Sequence, residues 1–199
     1  MLDRRTLIAA SLASALSACG GSSASATTVN VYGDSLTAGV GLELKPVVYM
    51  QQVLGSSAVL RDYSAPSMRT RDALYGNPAQ PYTTLLDSVQ TTKPDIVVLA
   101  YGGSDIFTPS LRFYTELHEL VLMCKSSKVV LVTFLNYPFL QKEISSVNEV
   151  ITTIAAETGA TLVDAYSLPF GGLVDEVHPN QEYSLARADL IAKAIVTLM

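Results

Sequence analysis

Apolar and polar positions along this chain change period several times, and each change marks an element. Between Thr28 and Tyr32, Val29 and Val31 alternate with polar neighbours, the two-residue period of a strand, and Gly33-Asp34 breaks the pattern just as Ser35-Leu36 arrives. Pro46 suits the first turn of a helix that runs through Met50 and Val53 to a stop at Gly55, and Ala58 to Tyr63 reads as a second strand. A polar loop from Ser64 to Thr70 leads into a helical start toward Leu74. Turn residues from Gly76 to Tyr82 mark a surface loop, and a short helix passes through Leu85, Leu86 and Val89. The apolar run Asp95 to Ala100, closed by Gly102-Gly103, reads as a strand buried on both faces, and Val129 to Phe134 repeats that signature. Leu111 to Cys124 has helical spacing, with Leu111, Tyr114, Leu117 and Val121 on one face. Ile144 to Ala156 is helical and Thr161 to Ala165 a short strand. Leu185 to Leu198 closes the chain as a helix with Leu185, Ala188, Ile191, Ile195 and Leu198 in one stripe. Strands alternating with helices predict an α/β fold, a three-layer α/β/α sandwich around a central, mostly parallel sheet of about five strands.

The first eighteen residues do not fit this pattern. Arg4-Arg5 precedes a small and apolar run from Leu7 to Leu16, about half of the roughly twenty residues a membrane-spanning helix needs. Residues 1–18 therefore read as a signal peptide, by the Sec or the twin-arginine route. Leu16-Ser17-Ala18-Cys19 resembles a bacterial lipobox, which implies a lipid on Cys19 and a membrane-anchored protein facing the periplasm, with the outer membrane expected. A plain secretory peptide is the alternative. Residues 19–27, rich in Gly, Ser, Ala and Thr, then form a flexible tether, and 28–199 form one domain. With 199 residues and 49% hydrophobic content, the chain suffices for a single core. The formal charge of −5, without a Lys/Arg cluster, excludes nucleic acid as a partner, and a monomer is expected. Cys124 is the one cysteine left for the domain, so no internal disulfide forms, and its apolar neighbours mark it as a buried small hydrophobe.

Ser35 stands where the first strand ends, the edge at which open α/β sheets bind ligands. A serine is a weak nucleophile until a base takes its proton. Asp175-Glu176-Val177-His178-Pro179, just before the last helix, supplies one. An aspartate three residues before a histidine can fold back onto the ring Nδ1-H and leave Nε2 for a serine. The plainer reading of Ser35 is a helix-capping turn residue, and the plainer reading of His178 a surface histidine. His118, set among Glu116 and Glu119, reads as solvated or locally paired. Two histidines and no clustered ligands predict no metal, and a glycine pair without Gly-x-Gly-x-x-Gly or a Walker lysine predicts no phosphate-bearing cofactor. Gly102-Gly103 is better explained by tight passage of backbone past Ser35, and Asp34 and Asp105 as turn aspartates bonded to nearby N–H groups.

Gly33-Asp34-Ser35-Leu36 followed by a distant Asp175-x-x-His178, one ending the first strand and the other opening the last helix, resembles the SGNH/GDSL hydrolases, serine esterases and lipases. The resemblance spans nearly the whole of 28–199 and implies Ser35 as nucleophile, His178 as base, Asp175 as its orienting acid, and no cofactor. It also implies an oxyanion hole made by Ser35 with two further positions. There this chain departs from the pattern: Ser67 stands where similar hydrolases have a glycine, and Ser104, in Gly102-Gly103-Ser104-Asp105, where they have the asparagine of Gly-x-Asn-Asp. Ser67 can offer its backbone N–H provided its loop does not demand a positive φ, which serine tolerates poorly. The expected substrate is a small-molecule, glycan or lipid acyl ester. An acyltransferase or thioesterase, or a ligand-binding lipoprotein without catalysis, are the other readings. Leu135, Tyr137, Phe139, Leu140, Phe170 and Leu173 either line an acyl pocket or pack the loops. Arg69 and Arg71 either hold an anionic part of the substrate or lie solvated or paired with Asp72.

Overall fold

The computed structural model describes residues 25–79 and 83–199. Cys19, the signal peptide and most of the tether lie outside the described residues, as does the end of the Gly76 to Tyr82 loop.

Five strands form one parallel sheet: β1 (Thr27–Gly33), β2 (Ala58–Asp62), β3 (Ile96–Ala100), β4 (Lys128–Val132) and β5 (Thr161–Val163), in the order β2-β1-β3-β4-β5. Every side chain of β3 is buried, as a continuous Ile-Val-Val-Leu-Ala run requires when helices cover both faces. The helices are α1 (Ser35–Ala38), α2 (Pro46–Leu54), α3 (Thr70–Tyr75), α4 (Leu85–Thr92), α5 (Ser110–Met123), α6 (Gln141–Thr158) and α7 (Gln181–Leu198). α2 packs on α7, whereas α5 packs on α3 and α6, giving the two outer layers of the sandwich. The expected three-layer architecture is the observed one.

Two helical faces differ from the periodic reading. In α5, Leu111 is 79% exposed, and the buried row is Phe113, Glu116, Leu117, Leu120 and Val121. Four-residue steps from Phe113 to Leu117 to Val121 make a better stripe than the one beginning at Leu111, because Leu111 belongs to the solvent-facing first turn. α7 starts four residues earlier than its apolar stripe, where the Asn180 side chain caps the helix by accepting from Tyr183 N–H. Its buried face includes Tyr183 and Arg187, while Leu185 and Leu198 are only half-buried.

This strand order places the topological switch between β1 and β3, whose chains leave toward opposite sides. A crevice opens at their carboxyl ends. Ser35 follows β1 there, and Gly102 to Asp105 follow β3.

Candidate active site

Ser35 is the first residue of α1, a single turn ended by Gly39 at φ 69°. The turn folds so sharply off β1 that a Cβ on Gly33 would lie 2.4 Å from Thr37 Oγ1 and 2.8 Å from the Ala100 carbonyl, so only glycine fits. Asp34 caps α1 and is buried, but it is more than a local turn residue. Its carboxylate accepts from the N–H of Leu36 at 3.0 Å and, across the crevice, from those of Gly103 at 2.8 Å and Ser104 at 3.1 Å. A Cβ on Gly103 would sit 2.7 Å from Asp34 Oδ2. The tight backbone passage at Gly103 is therefore around Asp34 rather than Ser35, and that at Gly102 is against Val147, 2.9 Å from an added Cβ. Burial raises the Asp34 pKa, opposed by the nearby Arg187 charge and by the three N–H donors.

Arg187 escapes a search for apolar stripes, yet it is 5% exposed, and its Nη1 donates to Thr37 Oγ1 at 3.2 Å, tying α7 to α1. Its position between Tyr183 and Ile191 at four-residue steps was the available signal, a charge in a row that is otherwise buried. Its Nε has no hydrogen-bond partner among the described residues.

Asp175 and His178 come together as their spacing predicts. Asp175 Oδ1 accepts from the N–H of Val177 at 2.8 Å and of His178 at 2.7 Å, and Oδ2 lies 2.8 Å from His178 Nδ1. The imidazole bond first, and the two N–H donors next, lower the Asp175 pKa to about 2. An ionised carboxylate can only accept, so Nδ1 bears a proton toward Asp175, and in the neutral ring Nε2 is the nitrogen that accepts. The segment closes on itself: Val174 N–H donates to the His178 carbonyl at 2.9 Å, and Asn180 N–H to that of Gly172 at 3.0 Å. Tyr137 Oη holds it from outside by donating to the Val177 carbonyl at 2.9 Å.

The loop after α1 meets this segment directly. Leu44 N–H donates to Gln181 Oε1 at 3.1 Å and Gln181 Nε2 returns a bond to the Leu44 carbonyl at 2.8 Å, so Ser35 and His178 share one edge of the sheet. No hydrogen bond joins Ser35 Oγ to His178, among the described residues. Such contacts are commonly long in a site without substrate and shorten when it binds.

Ser67, in the loop between β2 and α3, has φ 62°. The loop does demand the left-handed conformation, which Ser67 adopts at about 1–2 kcal/mol of strain while keeping its backbone N–H as a donor. Its N–H finds no acceptor among the described residues. Ser104 uses its N–H on Asp34 and leaves its hydroxyl without a partner among the described residues.

The aromatic residues are mostly packing. Tyr137 is 2% exposed, with its ring centroid 5.2 Å from that of Phe134, 5.3 Å from Phe139 and 6.1 Å from Phe170; it is the hub that holds the β4 loop against the Asp175 segment. Leu135 is fully buried, whereas Phe139, Leu140 and Phe170 keep 38–43% of their surface in solvent. His118 stacks on Tyr114 at 5.5 Å, and Cys124 is buried, which pushes its thiol up to about 12.

Asp105, next to Ser104, also reaches far from its own turn. It is buried and accepts from Thr70 N–H at 3.2 Å; Thr70 Oγ1 lies 3.1 Å from Asp105 Oδ1 and 2.9 Å from Glu116 Oε2. One hydroxyl has one proton, so both contacts are hydrogen bonds only when one of the two carboxyls is protonated and donates. Burial raises the Asp105 pKa to about 7, so near neutral pH Asp105 carries that proton part of the time.

Comparisons with known proteins agree with this layout. Among solved structures, the chain is similar to a lipase/acylhydrolase from Enterococcus faecalis (22% identity, TM-score 0.72, covering 85% of this chain and 95% of that one). It is also similar to the aryl esterase of M. smegmatis (19% identity, TM-score 0.71, 87% and 100% covered) and to a carbohydrate acetylesterase family member from Sinorhizobium meliloti (17%, 0.71, 86% and 98%). No curated protein matches the sequence. At these identities the structures speak for the fold. The description of the GDSL-like lipase/acylhydrolase family, however, matches residues 31–183, from β1 through the start of α7, and the chain belongs to that family of hydrolases.

Proposed function

We propose that this hydrolase is a serine esterase that cleaves carboxylic esters, acyl or acetyl, through an acyl-enzyme on Ser35. The observation that carries the reading is the Asp175–His178 contact of 2.8 Å, which directs Nδ1 to the carboxylate and turns Nε2 to the edge of the sheet where Ser35 lies. Ser35 Oγ attacks the ester carbonyl as its proton passes to His178 Nε2. The imidazolium, stabilised by the ionised Asp175, then gives that proton to the departing alkoxide, and the C–O bond to the alcohol breaks. Water enters and attacks the acyl carbon as it loses a proton to the same nitrogen, which returns that proton to Ser35 Oγ as the acyl C–O bond breaks and the acid leaves. The carbonyl oxygen, negative in the tetrahedral intermediate, faces the N–H of Ser35, the N–H of Ser67 and the hydroxyl of Ser104. One such donor is worth about 10²–10³ in turnover. The similar aryl esterase and carbohydrate acetylesterase lend support to small acyl groups.

Ser35→Ala, assayed on p-nitrophenyl acetate and longer acyl esters, is expected to abolish hydrolysis without lowering the melting temperature; activity equal to wild type ends this reading. A second reading, ligand binding without catalysis, draws on serine at both 67 and 104. Covalent labelling of Ser35 by a fluorophosphonate separates the two, since it requires an activated nucleophile.

A further inference from the structure

Beside the candidate oxyanion hole lies a cavity of about 430 Å³ that the triad does not use. Ser67 lines it together with three arginines: Arg69 and Arg71 from α3 and its entry, and Arg112 from α5. Three arginines on one cavity are unusual in a chain of formal charge −5. Their pairing decides what the cavity can do. Asp72, the adjacent carboxylate that offers the plainest partner, accepts instead from the Arg69 backbone N–H at 3.1 Å, a local cap of α3. Arg112 is committed to Glu116, with Nε 2.8 Å from Oε1. Among the described residues, neither Arg69 nor Arg71 has a carboxylate within 4.0 Å, and both side chains are exposed to solvent.

The other two carboxyls at the cavity, Asp105 and Glu116, both meet the buried Thr70 hydroxyl, and Glu116 is held by Arg112 as well. Both are engaged there, which leaves Arg69 and Arg71 as the guanidiniums without a carboxylate partner among the described residues. Phe107, 75% exposed, adds an apolar wall to the same cavity.

Resting on the esterase reading, we infer that this cavity is the substrate's anion subsite: Arg69 and Arg71 bind an acidic group, carboxylate or phosphate, carried by the ester whose carbonyl is held at Ser67. Two planar guanidiniums with free N–H edges match such an anion in geometry as well as charge. Arg112, tied to Glu116, is part of the wall rather than a ligand. The preferred substrates are therefore esters of hydroxy acids or of diacids rather than neutral acyl esters.

The test compares matched esters on the purified full chain. 4-Acetoxybenzoate against its methyl ester puts the anion on the alcohol side, and p-nitrophenyl hydrogen glutarate against p-nitrophenyl valerate puts it on the acyl side. Wild type is expected to favour the anionic member of at least one pair in kcat/KM. Arg69→Gln/Arg71→Gln is expected to lower the anionic-to-neutral ratio at least tenfold, and 0.5 M salt to compress it in wild type, since exposed charges are screened. A ratio unchanged by the double substitution overturns the subsite while leaving the esterase reading intact. Calorimetry on Ser35→Ala provides an arm that needs no turnover: 4-acetoxybenzoate or glutarate monoester binds, and the two arginine substitutions abolish that binding. If wild type hydrolyses none of the esters, the esterase reading fails and this binding arm alone decides the subsite, absence of arginine-dependent binding overturning it.

Discussion

Asp175 and Asp105 are both turn aspartates at the carboxyl edge of the sheet, and the fold drives them in opposite directions. Asp175 keeps half of its side chain in water and gathers three donors from residues two and three positions ahead, so its pKa falls to about 2. Asp105 is 1% exposed, shares its donor with Glu116, and rises to about 7. The difference is one of hydration. Hydrogen bonds to an exposed carboxylate add to its solvation, whereas for a buried one they must replace water entirely, and a single threonine does not. One aspartate is thereby kept as a permanent anion beside an imidazole, and the other as a proton carrier inside the wall of a pocket.

The strongest way to break the comparison is to neutralise the exposed member. Asp175→Asn keeps the size of the side chain but offers an amide to His178, so the ring can adopt the wrong tautomer. A fall in kcat of about 10⁴-fold is expected, with the melting temperature nearly unchanged because the site is solvated. A variant within tenfold of wild type on p-nitrophenyl acetate would mean that Asp175 does not orient the base.

Neutralising the buried member is expected to act on stability instead. Because the folded state holds the Asp105 proton more tightly than the unfolded chain, the Asp105 contribution to stability is complete below about pH 4 and is lost as pH rises through about 7. The loss is on the order of 4 kcal/mol, from a rise of about three pKa units at about 1.4 kcal/mol each. Asp105→Asn reproduces the protonated form: its carbonyl accepts from Thr70 N–H, and its amide donates to Thr70 Oγ1, which is then free to donate to Glu116. Melting curves from pH 4 to 8 should fall for wild type and flatten for the variant. Parallel slopes would show that Asp105 is ionised throughout. Asp175 has the opposite sign, its contribution being present above pH 4 and lost only as pH falls through about 2.

The smallest expected effect is at Ser67. Ser67→Gly relieves the positive φ but frees the unfolded chain, and the balance is a gain of about 0.5 kcal/mol. Thermal unfolding measures it. A destabilised glycine variant would mean that the serine side chain makes up for its backbone strain.

Asp175 was legible in the sequence because its partners lie within three residues; a loop that short has few ways to satisfy a carboxylate. The strands were legible for a similar reason, since Ile96 to Ala100 and Val129 to Val132 have no polar face to offer water. The same local reading accounts for the Leu36 bond of Asp34 but not for its bonds to Gly103 and Ser104, nor for those of Asp105 to Thr70, partners that are distant in the chain. It also missed Arg187, whose charge only makes sense next to Thr37 and Asp34, and it placed Leu111 on a buried face that α5 turns to solvent.

What the sequence alone determined was the order of elements, the parallel α/β architecture, and the two short motifs at the ends of β1 and at the start of α7. Each depends on residues close enough along the chain to constrain one another through period, turn or cap. The tertiary structure decided which of the aspartates stays charged, why glycine must follow β3, that serine 67 takes a left-handed conformation, and that Arg69 and Arg71 share a cavity without a carboxylate partner. Those properties follow from how much water the packed sheet and helices leave at each group, and desolvation is set by neighbours that only the completed fold brings together.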